Sequence, residues 1–207
     1  MKVVFILFHC NSRKLYPQKW INECIQSVKN QTYKDFGVIE LNYGGEGIFH
    51  YPGSDRHNIK MDNYAEAMNY LLDVAFLDYK CDAVANINLD DYYTPNRLEK
   101  QLVEIKRGFD IVSSSWYYIN VNSRIIGGLD FNQNSLKELE KTNVIGHPVV
   151  VFSRNFWLNC SRYRGEEIPR EDWDLWIREY KAGKKFKILP ERLMYHRRHD
   201  NNSSRPR

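Results

Sequence analysis

The sequence predicts an α/β fold in which a mostly parallel central sheet is flanked by helices and joined to a smaller mixed region. Three observations carry that prediction. Val3-Val4-Phe5-Ile6-Leu7-Phe8 is unbroken apolar sequence, as expected of a strand covered on both faces. Short apolar runs then alternate with segments of helical period as far as about residue 105. Finally, 207 residues, 43 % of them apolar and 27 % charged, suffice for one domain with a substantial core, while only 11 Gly and 7 Pro exclude collagen-like and low-complexity chains.

The elements follow in order. After the first strand, Pro17 opens a helix whose apolar stripe is Trp20, Ile21, Cys24, Ile25 and Val28. Gly37 to Leu41 reads as a second strand, and Gly44, Gly45 and Gly47 mark a loop without period. Ala67, Met68, Leu71, Leu72 and Ala75 recur at helical spacing between Asn63 and Phe76, and Asp82 to Ile87 is the next strand. Thr94-Pro95-Asn96-Arg97 sets a capping hydroxyl before a proline at the first helical position, and Leu98, Leu102 and Ile105 form the buried face. Phe109 to Trp116, Tyr117 to Val121, Arg124 to Ile126 and Pro148 to Phe152 read as strands, with a turn at Asn122-Ser123. Trp173, Trp176, Ile177 and Tyr180 mark a last helix ended by Gly183, and Phe186 to Leu189 and Leu193 to Tyr195 are closing strands.

Thirty Lys and Arg against 26 Asp and Glu leave a formal +4, enough to favour a phosphate-bearing ligand and too little for a dedicated nucleic-acid surface. Val3 to Phe8 is too short for a signal-peptide core or a membrane span, so a cytoplasmic location is expected. Cys10, Cys24, Cys81 and Cys160 are scattered, which predicts neither a zinc cage nor a disulfide framework.

Ligands of parallel sheets sit beyond the carboxyl ends of the strands. Asp90 and Asp91 fall there, directly after Ala83-Val84-Ala85-Asn86-Ile87. Two adjacent carboxylates repel unless a divalent cation joins them; the alternative is that Asp91 is a favourable charge before a helix and Asp90 is solvated. Glu171-Asp172 opens the last helix, where acids are favoured by the dipole and where a rigidly held carboxylate also suits a general base. His196-Arg197-Arg198-His199 combines imidazole ligands with phosphate-binding guanidiniums, a composition shared with solvated basic tails. His147 reads as a hydrogen-bonded structural residue. Trp116-Tyr117-Tyr118 and Phe156-Trp157 read mainly as core, with a sugar- or base-stacking platform as the alternative.

Together these stretches resemble glycosyltransferase family 2, the nucleotide-sugar-dependent enzymes of the GT-A fold, from Val3 to Ser204. Cys24-Ile25-Gln26-Ser27-Val28-Lys29-Asn30-Gln31-Thr32 matches the family's first helix pattern. Asn88-Leu89-Asp90-Asp91 with Pro95-Asn96-Arg97-Leu98 looks like its metal motif and the helix that follows, with Asn88 in place of the first Asp. Glu171-Asp172-Trp173-Asp174-Leu175-Trp176 resembles its acidic pair and "Asp, Leu, Trp" string, and His196 to Ser203 its closing motif. Where many members carry two Asp residues after the second strand, this chain has Asn42-Tyr43.

The resemblance implies a single GT-A domain over 1–199 with a Rossmann-like sheet, a nucleotide-binding half of about 1–92 and an acceptor half of about 93–199. Residues 200–207 read as a polar tail or a linker to a further domain. It implies transfer of a sugar from a nucleotide diphosphate sugar, with UDP the leading nucleotide, to a glycan or other hydroxyl acceptor with inversion. Asp172 takes the general-base position. Asp90, Asp91 and His199 take the Mn²⁺ or Mg²⁺ position, and Asn42, Tyr43, Asn63, Asn88, Arg197 and Arg198 the donor-binding positions. The acceptor is expected between Trp116 and Leu129 and between Asn155 and Arg170. A non-catalytic carbohydrate- or nucleotide-sugar-binding module of the same fold is the alternative. A sugar-phosphate nucleotidyltransferase fits less well, because His9-Cys10-Asn11-Ser12-Arg13 lacks the glycines that cradle a triphosphate.

Overall fold

In a computed structural model, which describes residues 1–10, 15–45, 51–165, 170–200 and 202, the chain forms a mixed sheet with helices on both faces. The strands are β1 Val3–His9, β2 Phe36–Asn42, β3 Asp55–Asn58, β4 Ala83–Ile87, β5 Tyr92–Tyr93, β6 Ile111–Ile119, β7 Ile125–Leu129, β8 Val151–Ser153 and β9 Phe186–Arg197. The helices are α1 Gln18–Lys29, α2 Tyr64–Asp73, α3 Arg97–Lys106, α4 Arg154–Leu158 and α5 Glu171–Lys181. The strand order is β3-β2-β1-β4-β8-β6-β9-β5, with β7 paired to β6. From the pairings, β3, β2, β1, β4, β6 and β9 run one way, while β8, β5 and β7 run the other. Among the described residues no helix is long and apolar enough to cross a membrane.

The apolar first strand is buried on both faces, as its composition requires. Val4, Ile6 and Phe8 enter one core cluster with Met68, Leu71 and Leu72 of α2 and Leu175 and Trp176 of α5. Val3, Phe5 and Leu7 enter the other with Ile21, Cys24 and Val28 of α1 and Leu98, Leu102 and Ile105 of α3. At about 1.5–3 kcal/mol for each fully buried large apolar side chain, this strand anchors both layers.

Several boundaries differ from the sequence reading. The third helix starts at Arg97, not Pro95, and Thr94 does not cap it; its hydroxyl reaches Asn96 Oδ1 at 3.1 Å. The cap comes from afar, since the Gln31 carbonyl oxygen accepts from Leu98 N (2.9 Å) while its amide donates to the carbonyls of Ser27 (3.0 Å) and Thr94 (2.8 Å). Of the apolar run Pro148 to Phe152, His147–Val149 is a 3₁₀ turn and only Val151–Ser153 is strand. The predicted strands at 109–116 and 117–121 are one strand, β6, with a turn over Asn120 to Ser123. The two closing strands are likewise one, β9, whose register shifts around Pro190 because proline cannot donate to the ladder. β3 and α4 carry no apolar period and were not foreseen. Most of the expected tail lies outside the described residues.

Candidate active site

β1, β2 and β4 run parallel in register, with His9 opposite Asn42 and Leu7 opposite Ile87, so their carboxyl ends share one edge of the sheet. Because the chain winds outward from β1 to β2 on one side and to β4 on the other, that edge is the topological switch point at which open sheets of this kind bind ligands. Asn42 ends β2, buried, and its Oδ1 accepts from Gly44 N at 3.1 Å. Tyr43 follows, half-buried, with its backbone tied to His9 O and Met61 N; burial, with Cys10 and Glu171 adding, pushes its phenol up to about 12. Behind them lies a pair that sequence reading missed. Buried His9 meets buried Glu40 at 3.1 Å, and the other Glu40 oxygen accepts from Tyr51 N and Ser54 Oγ.

After β4 the chain turns through Asn88 to Asp91, closed by Asp91 N to Asn88 O at 3.2 Å. Asn88 N donates to the Tyr93 hydroxyl at 2.8 Å and Cys24 Sγ to Asn88 O at 3.2 Å, so half-buried Asn88 is fixed by its backbone. Asp90 and Asp91 are only 7 % and 1 % exposed. Asp90 Oδ2 lies 3.0 Å from His199 Nε2; Asp91 Oδ1 lies 3.2 Å from His196 Nδ1 and accepts from Arg197 N at 2.9 Å. Burial raises the Asp91 pKa; His196 opposes this and Asp90 adds to it. Burial works against charging His196, yet Asp91 carries its pKa above the ordinary value. The His199 ring packs against Trp20 and Tyr16, at centroid distances of 5.1 and 5.7 Å.

The two arginines of the closing motif diverge. Arg197 is fully buried, and its guanidinium donates to Asp90 O, Asn120 O, Ser123 Oγ and Glu23 Oε2. Arg198 is half-buried, its guanidinium stacked 4.8 Å over the Tyr118 ring. Asn63 caps α2, accepting from Glu66 N at 2.8 Å.

The donor set suits a hard divalent cation: two adjacent carboxylates with a nearby imidazole, to be completed by phosphate oxygens and water, as magnesium-type sites commonly are. Among the described residues no group of three His, Cys, Asp or Glu side chains is placed to hold a metal ion by itself, so a cation here would rest on the two carboxylates and take its remaining ligands from substrate oxygens and water.

The second acidic group belongs to α5. Arg170 enters that helix with φ 72°, and the first turn carries Glu171, Asp172 and Asp174. Asp174 is taken up by Arg178 on the same helix. Asp172 is half-buried and accepts from Asn143 Nδ2 at 3.0 Å, while Asn143 Oδ1 accepts from Ile145 N. Burial raises the Asp172 pKa against the opposing hydrogen bonds from Trp173 N and Asn143. Near it is a buried polar network. His147 Nδ1 lies 3.1 Å from Tyr64 Oη and Nε2 2.9 Å from Tyr163 Oη, and Asn86 Nδ2 donates to His147 O at 3.1 Å. Burial pushes the His147 pKa down to about 4, so the ring is neutral at pH 7.

Burial, then Asp90, Asp91 and Tyr43, raise the Tyr16 phenol; burial, then Tyr163, Asp172, Glu171 and Tyr43, raise the Tyr64 phenol. Glu23 and Asn143 are supporting residues that motif reading left out, whereas Gln31 belongs to the helix pattern and His147 is the hydrogen-bonded structural residue that was expected. Only the Gln-Thr pair after α1 and the isolated His147 gave any signal.

This arrangement, an open α/β sheet with acidic side chains at its carboxyl edge, defines a class of fold shared by known proteins. The model of glycosyl transferase family 2 matches residues 55–164, more than half of the chain. The O-antigen biosynthesis glycosyltransferase WbnJ of Escherichia coli is 30 % identical over 170 residues, covering 77 % of this chain and 66 % of that protein. An uncharacterised glycosyltransferase of Methanocaldococcus jannaschii is 30 % identical over 208 residues, covering 91 % of this chain and 70 % of its own length. Among solved structures, S. aureus TarS 1–349 in complex with UDP-GlcNAc aligns over 98 % of this chain and 60 % of its own, with a TM-score of 0.69 at 15 % identity. The chain therefore belongs to glycosyl transferase family 2, has the GT-A architecture, and spans about two thirds of the curated relatives it matches.

Proposed function

We propose that the chain transfers a sugar from a UDP-sugar to an acceptor hydroxyl with inversion at the anomeric carbon. The observation that carries this reading is the buried Asp90-Asp91 turn after β4, at the carboxyl edge of the parallel strands, with Asp172 at the head of α5 as a second acidic group. Family membership and a TarS structure holding UDP-GlcNAc support a nucleotide-sugar donor, and the O-antigen role in the name of the E. coli relative supports a glycan acceptor.

Asp90 and Asp91, with His199, would hold Mn²⁺ or Mg²⁺, which supplies positive charge where negative charge builds on the departing diphosphate. The Asn42 amide would pair with the edge of the base and Tyr43 would stack beside it, with Asn63 and Asn88 assigned to the rest of the donor. Arg198 offers the guanidinium for phosphate. Asp172, made a stronger base by burial, takes the acceptor proton as that oxygen bonds to the anomeric carbon and the bond to the diphosphate oxygen breaks on the opposite face. The reaction runs in the cytoplasm, where nucleotide-sugar donors are to hand.

A thermal-shift screen of sugar nucleotides with and without Mn²⁺ tests this directly. A ligand at 100 times its dissociation constant adds about 2.7 kcal/mol to stability. Stabilisation by one UDP-sugar that depends on Mn²⁺ is the expected result. Failure of every sugar nucleotide to stabilise the protein overturns the reading.

A further inference from the structure

We propose that Arg197 is the positioning residue of the Asp90-Asp91 turn, working as one unit with Glu23 of α1 and Ser123 of the β6–β7 hairpin. The purpose of the unit, though not its existence, rests on the donor role given above to that turn.

The geometry is that of an internal clamp. Arg197 grips the turn twice: its backbone N donates to Asp91 Oδ1 at 2.9 Å and its Nε to Asp90 O at 2.9 Å. The remaining nitrogens face the other way. Nη1 donates to Asn120 O at 3.1 Å and Ser123 Oγ at 3.0 Å, and Nη2 pairs with Glu23 Oε2. Ser123 Oγ lies 2.9 and 3.0 Å from the two Glu23 oxygens, closing the triad. The guanidinium is 4.8 Å from the centroid of the Trp20 ring and 6.0 Å from that of Tyr92. No part of Arg197 is exposed.

Four directed donations from a buried planar group cannot be reproduced by a lysine ammonium on a flexible stem. Ser123 has φ 64°, a left-handed conformation that a serine adopts only when its surroundings hold it there, and its hydroxyl serves both other members of the triad. The clamp joins α1, the β4–β5 turn, the β6–β7 hairpin and the end of β9. Acidic side chains that must receive a charged ligand are thereby held in position before it arrives.

The test is a double-mutant cycle on Glu23→Gln and Arg197→Lys, with Ser123→Ala as a milder third variant in case Arg197→Lys fails to fold. Two readouts are taken: amide hydrogen exchange of residues 88–93 in the ligand-free protein, and Mn²⁺ affinity in the presence of UDP, read from the electron spin resonance of free Mn²⁺. Each single variant is expected to speed exchange in the turn and weaken Mn²⁺ binding at least tenfold, and the double variant to be little worse than the poorer single one. Unchanged exchange in both Glu23→Gln and Ser123→Ala overturns the clamp. So does a strictly additive cycle, or an Arg197→Lys protein that loses UDP affinity while Glu23→Gln behaves as wild type, which would make Arg197 a direct phosphate contact. A wild-type protein that takes up no Mn²⁺ with UDP, with exchange still altered in the variants, leaves the clamp standing and overturns the donor role of the turn instead.

Discussion

The two acidic groups at the edge of the sheet are built to opposite specifications. Asp90 and Asp91 are almost wholly buried and each is engaged by an imidazole, with Asp91 also held by a backbone N–H and the turn itself held by Cys24, Tyr93 and Arg197. Asp172 is half-buried, and the side chain gripping it is the single amide of Asn143. The contrast separates two tasks for one functional group. A carboxylate that must present fixed charge benefits from many constraints. One that must gain and lose a proton is better served by fewer partners, with burial lifting its basicity.

The sharpest way to break this comparison is Asp172→Asn. As the removal of a general base, it should cut turnover by about 10²- to 10⁴-fold and leave UDP binding by calorimetry unchanged. Near-normal transfer would put the proton acceptor elsewhere. Next in size is an effect of the neutral ring near Asp172. The folded His147 pKa is depressed to about 4 from 6.5, so only the unfolded chain takes up a proton as pH drops below 6.5. Stability present above pH 6.5 is therefore lost as pH falls toward 4, by about 3 kcal/mol from this residue. Urea unfolding of wild type and His147→Gln across that range should show a steeper pH slope in the former.

A smaller effect is expected from Asn143→Ala. Loss of the amide donor should slow transfer roughly tenfold. Because the Asn143 hydrogen bond opposes the burial-driven rise at Asp172, the acid limb of the pH–rate profile should also move to higher pH. An unmoved limb would mean that Asn143 only packs. The smallest effect serves as a control: Asp130, an exposed residue paired with Arg192, should become Ala with no measurable change in melting temperature or turnover.

Much of the fold was legible because burial writes itself into periodicity. Val3 to Phe8 could only be a strand covered on both faces, and the stripe from Trp20 to Val28 only a packed helix. β3 was illegible for the converse reason: Asp55-Arg56-His57-Asn58 is an edge strand held by its backbone to β2, with no apolar face to betray it. The run from Pro148 misled because apolar sequence before a short strand fills the core equally well as a 3₁₀ turn. At the candidate site, Asp90, Asp91 and Asp172 stood out as acids at element ends. Their supports did not, because Asn143 lies 29 residues from Asp172 and Glu23 lies 174 from Arg197, contacts that only the folded chain creates. The pair of arginines shows the limit most plainly: adjacent and identical on the page, Arg197 at the end of β9 turns into the protein and Arg198 just past it lies over Tyr118.

The Gln31 side chain has an implication for anyone altering this protein. It closes the last turn of α1 and opens the first of α3 at once, and only a carboxamide of that length can do both. A glutamate would have no hydrogen to give the two carbonyls, and a lysine no lone pair for Leu98 N–H. Two helices, α1 and α3, are thus tied together by one neutral side chain. A library that spares the cleft but randomises this position would return dead clones for a reason unconnected with chemistry.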